Sequence, residues 1–173
     1  MMKGDNIYLR ALEPSDTKIL YDWENDCYIW QFGSTITPYS EAVINIFIKN
    51  SIDYDIYAAK QLRLMICKNA DTKAVGCIDL YDFDPLNRRA AVGIFITKKE
   101  QQKGYASEAL KTLINYAFNI LNLKQLYCNI IETNTTSIKL FTAQNFVQCG
   151  VKKQWLLYDG QWFDELCYQL INN

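Results

Sequence analysis

The residues with the clearest potential for chemistry are 101–106, with the sequence Gln-Gln-Lys-Gly-Tyr-Ala. Residues 90–97 before them are short, branched and apolar, which predicts a mostly buried strand. Behind them, apolar side chains at three- and four-residue spacing predict one face of a long helix: Ala106, Ala109, Leu110, Leu113, Ile114, Ala117, Phe118 and Leu121. The first amides of a helix have no acceptor within it, and the helix dipole adds partial positive charge there. A strand, a glycine turn and a helix N-terminus therefore predict a phosphate site, although an ordinary turn is the alternative.

The chain has no histidine, which limits the acid–base and nucleophilic chemistry open to it. Ser-His-Asp and Cys-His catalysis are excluded, and so is an imidazole general base. The six cysteines include no Cys-x-x-Cys pair, so a zinc site would need unusual ligands. Most cysteines lie in predicted strands, and we interpret them as reduced, apolar side chains with no metal. Any chemistry must use carboxylates, tyrosines, backbone amides or water.

Composition limits the partners and the location of the protein. With 18 Lys and Arg residues against 19 Asp and Glu, the net charge of -1 gives no electrostatic reason to expect nucleic acid. The N-terminus lacks the apolar run of a signal peptide, and no segment approaches the roughly 20 apolar residues that span a bilayer. We expect a cytoplasmic protein without a membrane partner. Since 50% of the residues are hydrophobic, residues 1–173 are expected to form one domain with an ample core.

The order of the elements predicts an α+β fold. Strands are predicted, in chain order, at residues 7–12, 62–68, 74–83, 90–97, 125–131, 146–158 and 161–171. Helix starts are predicted at Pro14-Ser15-Asp16, at residues 38–41 and near Asn134 or Thr135, besides the long helix after residue 104. The last two strands flank Asp159-Gly160, a strong hairpin signal. We expect a central mixed, mostly antiparallel sheet flanked by about four helices.

This order, with a glycine turn after the fourth strand, resembles the GNAT superfamily of N-acetyltransferases. The cofactor loop of that family reads Gln or Arg, two residues, Gly, one residue, then Gly or Ala, as Gln101, Gly104 and Ala106 do. Residues 134–138, Asn-Thr-Thr-Ser-Ile, resemble the Asn-x-x-Ser segment that opens the next helix of the family. Residues 9–13 and 79–93 are similar to the branch with bacterial spermidine acetyltransferases and Rim-type acetyltransferases of ribosomal-protein N-termini.

The resemblance implies acetyl-coenzyme A as cosubstrate. Its diphosphate would bind the predicted anion site, formed by Gln101, Gln102, Lys103, Gly104, Tyr105, Ala106 and Ser107. In the family the fourth strand offers its backbone to the pantetheine arm, and an amide of that strand meets the oxyanion; this stretch corresponds to Ile94, Phe95 and Ile96. Asn134 would contact the cofactor arm, together with Ser137 and Phe141. A helix N-cap is an equally good and compatible interpretation of Asn134.

Two positions depart from the catalytic pattern of the family. The tyrosine that in many relatives protonates the leaving thiolate is Phe141 here, and the strand glutamate that can act as base is Ala91. Asp82 lies where spermidine-type relatives have an acidic residue, so we expect it to draw a proton through water, with a solvated carboxylate as the alternative. Asn134 and Asp82 are the predicted catalytic residues. Tyr105 and Tyr127 are other possible proton donors, and direct attack in a ternary complex is the preferred mechanism.

Strand alternation makes a further prediction about Asp82. It would share a face with Leu80 and Asp84, opposite the face of Asp79, Tyr81 and Phe83. Alternation also puts Asp164 among apolar side chains, where pairing with a nearby arginine is favoured over lining a pocket.

The acceptor amine is left open by the sequence. A polyamine such as spermidine would favour a carboxylate-lined groove, which these residues are predicted to form: Glu24, Asp26, Asp53, Asp55, Asp82 and Asp84. An aromatic cluster either walls the acceptor pocket or packs in the core: Tyr21, Trp23, Tyr28, Trp30 and Phe32. A protein N-terminus is a second acceptor. A non-catalytic acyl-coenzyme A sensor is a third interpretation, which Phe141 and Ala91 favour.

Aromatic residues around the last hairpin predict a subunit interface. Trp155, Trp162 and Phe163 lie there, and large apolar side chains beside a turn are typical of contact surfaces. We therefore expect a homo-oligomer.

Overall fold

The computed structural model describes residues 2–30 and 37–173, with only the backbone at Tyr28. One sheet contains eight strands in the order β1-β2-β3-β4-β5-β6-β8-β7, antiparallel throughout except between β5 and β6. The strands are β1 Met2–Lys3, β2 Ile7–Ala11, β3 Leu62–Lys68, β4 Ala74–Asp84, β5 Arg89–Ile96, β6 Gln125–Ile131, β7 Val147–Tyr158 and β8 Gln161–Ile171. Strand β1 was not predicted, so the predicted fourth strand is β5.

Four helices have eight or more residues among those described: α1 Thr17–Glu24, α3 Glu41–Asp53, α5 Tyr105–Asn119 and α6 Thr135–Ala143. Two four-residue helices are α2 Cys27–Trp30 and α4 Ile56–Ala59. The predicted α+β fold, with a mostly antiparallel sheet and about four helices, is confirmed. None of the helices in the described ranges is long and apolar enough to cross a membrane.

Alternate side chains of the central strands pack in two separate hydrophobic cores, one on each face of the sheet. Leu64 and Ile66 of β3 pack in a cluster with the buried face of α5, at Ala109, Leu110, Leu113 and Ala117. Met65 and Cys67 pack instead with Leu20 of α1 and Ile44 and Ile48 of α3. Because successive strand residues point to opposite faces, α5 covers one face of the sheet, and α1 and α3 cover the other.

The parallel neighbours β5 and β6 pair over only three positions. Their paired residues are Arg89 with Gln125, Ala90 with Leu126 and Ala91 with Tyr127. Beyond this point β5 continues against β4, and β6 continues against β8. The two strands therefore diverge after Ala91 and Tyr127, and the backbone edges of residues 92–96 and 128–131 no longer satisfy each other.

Glu108 fixes the start of α5 against the N-terminal strands. Its carboxylate accepts hydrogen bonds from the backbone NH of Asn6 at 2.7 Å and of Ile7 at 3.2 Å. Burial alone would raise the pKa of Glu108, but the hydrogen bonds from Asn6 and Ile7 outweigh it and hold the pKa below its ordinary value. A Cβ on Gly4 would lie 2.3 Å from the Glu108 Oε1 atom, so a larger residue at position 4 would force this carboxylate to shift. The helix N-terminus is thus held in place by a carboxylate.

Candidate active site

The gap between β5 and β6 opens into a cavity of about 1190 Å³. Residues 92–95 of β5 and 128–131 of β6 line it, and α6 contributes Asn134, Ser137 and Phe141. The face opposite α5 adds a polar group of lining residues, Glu24, Arg63, Asp79, Tyr81, Asp82 and Glu165. The cavity therefore reaches from the slot between the strands to the face of the sheet covered by α1 and α3.

The predicted phosphate loop has the backbone geometry of an anion site. Gly104 is the N-cap of α5 with φ 84°, a left-handed conformation that favours glycine. The NH of Glu108 donates to the Gly104 carbonyl at 3.1 Å and opens the helical hydrogen bonding, so the amides before Glu108 have no helical acceptor. A Cβ at Gly104 would meet no atom within 4 Å, which leaves open space where a ligand would approach.

The side chains of the loop hold its conformation. Gln101 Nε2 donates to the carbonyl of Ile96 at 3.0 Å and ties the loop to the end of β5. Lys103 Nζ pairs with Glu100 at 2.9 Å, and Gln102 has a φ of 61°. The Ser107 hydroxyl accepts from Gln144 Nε2 at 3.0 Å, which joins the first turn of α5 to the end of α6.

The structure divides the predicted cofactor residues into three groups. Ile94, Phe95, Asn134, Ser137 and Phe141 line the cavity together. The residues of the loop, 101–107, lie beyond its described lining, at the end of β5. Ile96 is 7% exposed and packs in the core on the α5 side, so its side chain does not face the slot. Only its backbone is available there.

Helix α6 closes one side of the slot without supplying a proton donor at residue 141. The Asn134 side-chain oxygen accepts from the NH of Ser137 at 3.1 Å, which confirms the N-cap interpretation of Asn134. Phe141 is 3% exposed and packs edge-to-face on Phe146, with ring centroids 5.0 Å apart. Because phenylalanine has no hydroxyl, residue 141 cannot donate a proton.

A β-bulge turns Asp82 toward the cavity. Strand β4 pairs Tyr81 with Ala91 and Asp84 with Arg89, with a register shift between them, and Asp82 has a φ of 49°. Phe83 consequently joins the core that contains Leu80. The prediction that Asp82 shares a face with Leu80 is wrong, because an extra residue interrupts the alternation. Asp82 instead lines the cavity with Asp79 and Tyr81.

Two tyrosines lie on either side of Ala91 where the strands diverge. Ala91 pairs with Tyr81 on β4 and with Tyr127 on β6. Burial raises the pKa of Tyr81 to about 12, with a smaller contribution from the charge of Asp82. Burial and Asp82 also raise the pKa of Tyr127, so both phenols are protonated at neutral pH. Tyr105 packs against the core on the α5 side and does not line the cavity in the described structure.

Arg63 organises the carboxylates on the α1 side of the cavity. Its guanidinium binds Asp79 through two contacts, Nε to Oδ1 at 2.7 Å and an Nη atom to Oδ2 at 2.9 Å, and it also pairs with Glu24. Burial lowers the pKa of Arg63, but Asp79 and Glu24 outweigh it and the pKa lies well above its ordinary value. The sequence analysis missed Arg63. A basic residue among the apolar side chains of residues 62–67, four residues before Cys67, was the available signal.

The predicted acidic groove does not form. Of its six residues only Glu24 and Asp82 line the cavity. Asp53 pairs with Lys49, Asp55 caps α4, and Asp84 pairs with Arg89, so these carboxylates serve local structure. Asp164 is paired as predicted, but with Lys153 Nζ at 2.6 Å and not with an arginine.

Part of the predicted aromatic cluster does line the cavity. Trp23 and Trp30 are among its lining residues, and Tyr21 is not. Phe32 and the side chain of Tyr28 lie outside the described part of the chain.

The two cysteines that line the cavity are poor nucleophiles. Burial raises the pKa of Cys77 and of Cys128 to about 12 in each case. Since the thiolate is the reactive form of cysteine, neither side chain is prepared to form an acyl-enzyme.

Comparisons with known proteins agree with this geometry. A family model described as an acetyltransferase (GNAT) domain matches residues 6–147. Spermidine N(1)-acetyltransferase from Escherichia coli (strain K12) is 25% identical over 162 residues, covering 94% of this chain and 84% of the relative. An uncharacterized N-acetyltransferase, p20 from Bacillus licheniformis, is 26% identical over 168 residues, covering 96% of this chain and 93% of the relative.

A solved structure shares the fold. Spermidine N-acetyltransferase from Vibrio cholerae, in complex with CoA and spermine, superposes with a TM-score of 0.87 at 22% identity, covering 97% of this chain and 96% of that one. A dodecameric structure of the same enzyme has a TM-score of 0.81 at 22% identity, covering 97% and 95%. With the family model matching most of the sequence, the chain belongs to the GNAT family and is an acetyl-coenzyme A-dependent N-acetyltransferase.

Proposed function

We propose that acetyl-coenzyme A binds along β5, from the N-terminus of α5 into the gap beside β6, and that a primary amine attacks from the opposite face. The observation that carries this proposal is the loss of β5–β6 pairing after Ala91 and Tyr127, on the strand that leads into the Gly104 turn. An extended ligand such as the pantetheine arm can form hydrogen bonds with the free backbone groups of two unpaired strand edges. The amides at the start of α5 suit a diphosphate.

Strand β5 sets the distance between the two ends of this site. At about 3.3 Å per residue, Val92 lies about 13 Å from Ile96 along the strand. The diphosphate end is at the loop, so the acetyl end lies near Val92, where the strands diverge. An unpaired amide of β5 there supports the developing oxyanion. Asn134 would contact the same arm from α6.

Residues close to Ala91 are placed to accept the proton that the attacking amine must lose. Asp82 lines the cavity and lies close enough to Tyr127 to raise its pKa. We assign Asp82 to accept a proton from the substrate ammonium through water. The neutral amine then forms the new C–N bond and gives a tetrahedral oxyanion. This adduct loses the extra proton on its nitrogen to water as the C–S bond breaks. The leaving thiolate takes a proton from solvent, since residue 141 is a phenylalanine. The raised pKa values of Cys77 and Cys128 support direct attack over an acyl-enzyme.

Membership of the family favours catalysis over the non-catalytic alternative. The named spermidine relatives support a polyamine acceptor, whereas the charges of the cavity favour a different class of amine. A protein N-terminus is the other acceptor to test. The experiment is release of free thiol from acetyl-coenzyme A with amines and peptides. Turnover on an amine supports the proposal, while coenzyme A binding without turnover on any acceptor refutes it.

Exposed apolar residues on the last hairpin favour a homo-oligomer. Trp155 and Leu157 are each 59% exposed and Trp162 is 58% exposed, a cost that burial in an interface would remove. The Vibrio cholerae enzyme with the same fold forms a dodecamer. Sedimentation at micromolar concentration tests this, and a monomer alone would contradict it. A cytoplasmic location and the absence of a nucleic-acid partner stay predictions.

A further inference from the structure

We infer that the acceptor carries a single ammonium group beside an apolar or aromatic body, and not the several charges of a polyamine. This inference rests on the proposed amine acetylation and names its substrate class. It follows from how the carboxylates of the cavity are already paired and from what lines the rest of it.

Four carboxylates line the cavity within the described residues: Glu24, Asp79, Asp82 and Glu165. Glu24 and Asp79 share the guanidinium of Arg63, and Glu165 pairs with Lys152 Nζ at 2.6 Å. Of these four, Asp82 is the carboxylate that forms no salt bridge with another described residue. With Lys60 also lining the cavity, the four carboxylates face three cations, Arg63, Lys152 and Lys60, which leaves a net charge of -1. Residues 31–36, Gln-Phe-Gly-Ser-Thr-Ile, contain no charged side chain and add no carboxylate wherever they lie.

A polyamine would need more than this single charge. Each ammonium that leaves water requires a compensating partner. Taking Asp79 or Glu24 from Arg63 does not help, because the new ammonium contact would replace an existing ion pair with a guanidinium whose side chain is only 17% exposed. One ammonium beside Asp82 is the charge that this cavity compensates.

Much of the remaining wall is apolar or aromatic, although Lys60, Gln61 and Asn129 also line it. Trp23 packs edge-to-face on Phe95, with ring centroids 5.4 Å apart, and the Trp30 indole NH donates to the Glu24 carbonyl at 2.8 Å. Phe47 lies against Arg63, 5.0 Å from its guanidinium carbon to the ring centroid. These partly exposed groups would be covered by an apolar substrate.

One face of β5 could contact the apolar part of the substrate along its length. Alternation places Ala91, Gly93 and Phe95 on one face, over about 13 Å of strand. A Cβ on Gly93 would lie 3.5 Å from Tyr81 Cε1 and 3.7 Å from Asp79 Oδ2, so the glycine leaves a shallow channel there. The ammonium lies at the Asp82 end and the apolar body extends past Gly93 toward Phe95 and Trp23.

The test compares kcat/KM for 2-phenylethylamine, propylamine, spermidine and a peptide with an N-terminal phenylalanine. We expect kcat/KM for 2-phenylethylamine or for the peptide to exceed the values for both spermidine and propylamine by at least tenfold. Whichever of the two has the higher kcat/KM shows whether the acceptor is a small amine or a protein N-terminus. A preference for spermidine overturns the inference but leaves the proposed transfer intact. No thiol release with any of the four removes both.

A pair of adjacent lysines provides the matched control. Lys152→Gln frees Glu165 in the cavity, and we expect the ratio of kcat/KM for spermidine to that for 2-phenylethylamine to rise about three- to tenfold. Lys153→Gln frees Asp164, which does not line the described cavity, and should leave the ratio unchanged. Both lysines are partly or largely exposed, at 38% and 77%, so both variants should fold. A ratio unchanged in Lys152→Gln contradicts the inference.

Discussion

Replacing Gly104 by alanine separates coenzyme A binding from backbone strain. Gly104 and Gly160 have φ values of 84° and 74°, and a Cβ at either would meet no atom within 4 Å. Alanine in this conformation costs about 1 kcal/mol at each position, because its Cβ opposes the left-handed backbone. For a chain of this length that corresponds to a fall in Tm of roughly 2–4 °C. The two variants should therefore be equally destabilised.

Only the Gly104 substitution should weaken cofactor binding. Its methyl group would project into the open space over the amides that precede Glu108, and relaxing the strain would rotate those amides. We expect the Kd for coenzyme A to rise by about tenfold or more, equivalent to about 1.4 kcal/mol. Gly160 lies in the turn between β7 and β8, and its variant should bind coenzyme A as the wild type does.

Calorimetric titration with coenzyme A gives the two Kd values, and thermal unfolding without ligand gives the two stabilities. Equal affinities at equal destabilisation would refute the assignment of the Gly104 turn as the diphosphate site. A larger loss of affinity in Gly160→Ala would refute it as well.

Three further experiments test the site and the contacts that support it. Asp82→Asn should lower kcat/KM about 10- to 100-fold in the thiol-release assay, whereas Asp84→Asn, outside the described cavity lining, should stay within about twofold. Glu108→Gln should lower the free energy of unfolding by roughly 1 kcal/mol at neutral pH. Because the folded-state pKa of Glu108 lies below its ordinary 4.5, that difference should disappear in urea titrations as the pH falls through the folded pKa; a difference that grows on acidification would be inconsistent. Arg63→Met leaves two carboxylates uncompensated and should cost about 3 kcal/mol, most of which Glu24→Gln and Asp79→Asn should restore in the triple variant; no recovery would argue that packing dominates.

The sequence predicted the regular elements well because each has a local signal. Alternating or continuous apolar residues bounded by turn residues placed β3 at Leu62–Lys68, β6 at Gln125–Ile131 and β8 at Gln161–Ile171. The Asn134 cap and the glycine turn before α5 could also be predicted from the sequence, since capping and positive φ depend on single residues. The two-residue β1 carries too short a pattern to be predicted.

The orientation of Asp82 could not be predicted in the same way. A bulge depends on the register between two strands, and the residues of β4 alone read as uninterrupted alternation. The prediction of an acidic groove was wrong for a related reason. The sequence shows how many carboxylates there are, but not which cations they pair with in the fold. Arg63 compensates Glu24 from 39 positions away in the chain, and only the folded sheet brings the two together.

A crystal structure of the protein with coenzyme A tests the central claim most directly. We predict the diphosphate within hydrogen-bonding distance of the amides of Tyr105, Ala106 and Ser107, and the pantetheine arm between the diverging edges of β5 and β6. A cofactor bound elsewhere, or strands β5 and β6 paired beyond Ala91 and Tyr127 in the complex, would contradict it.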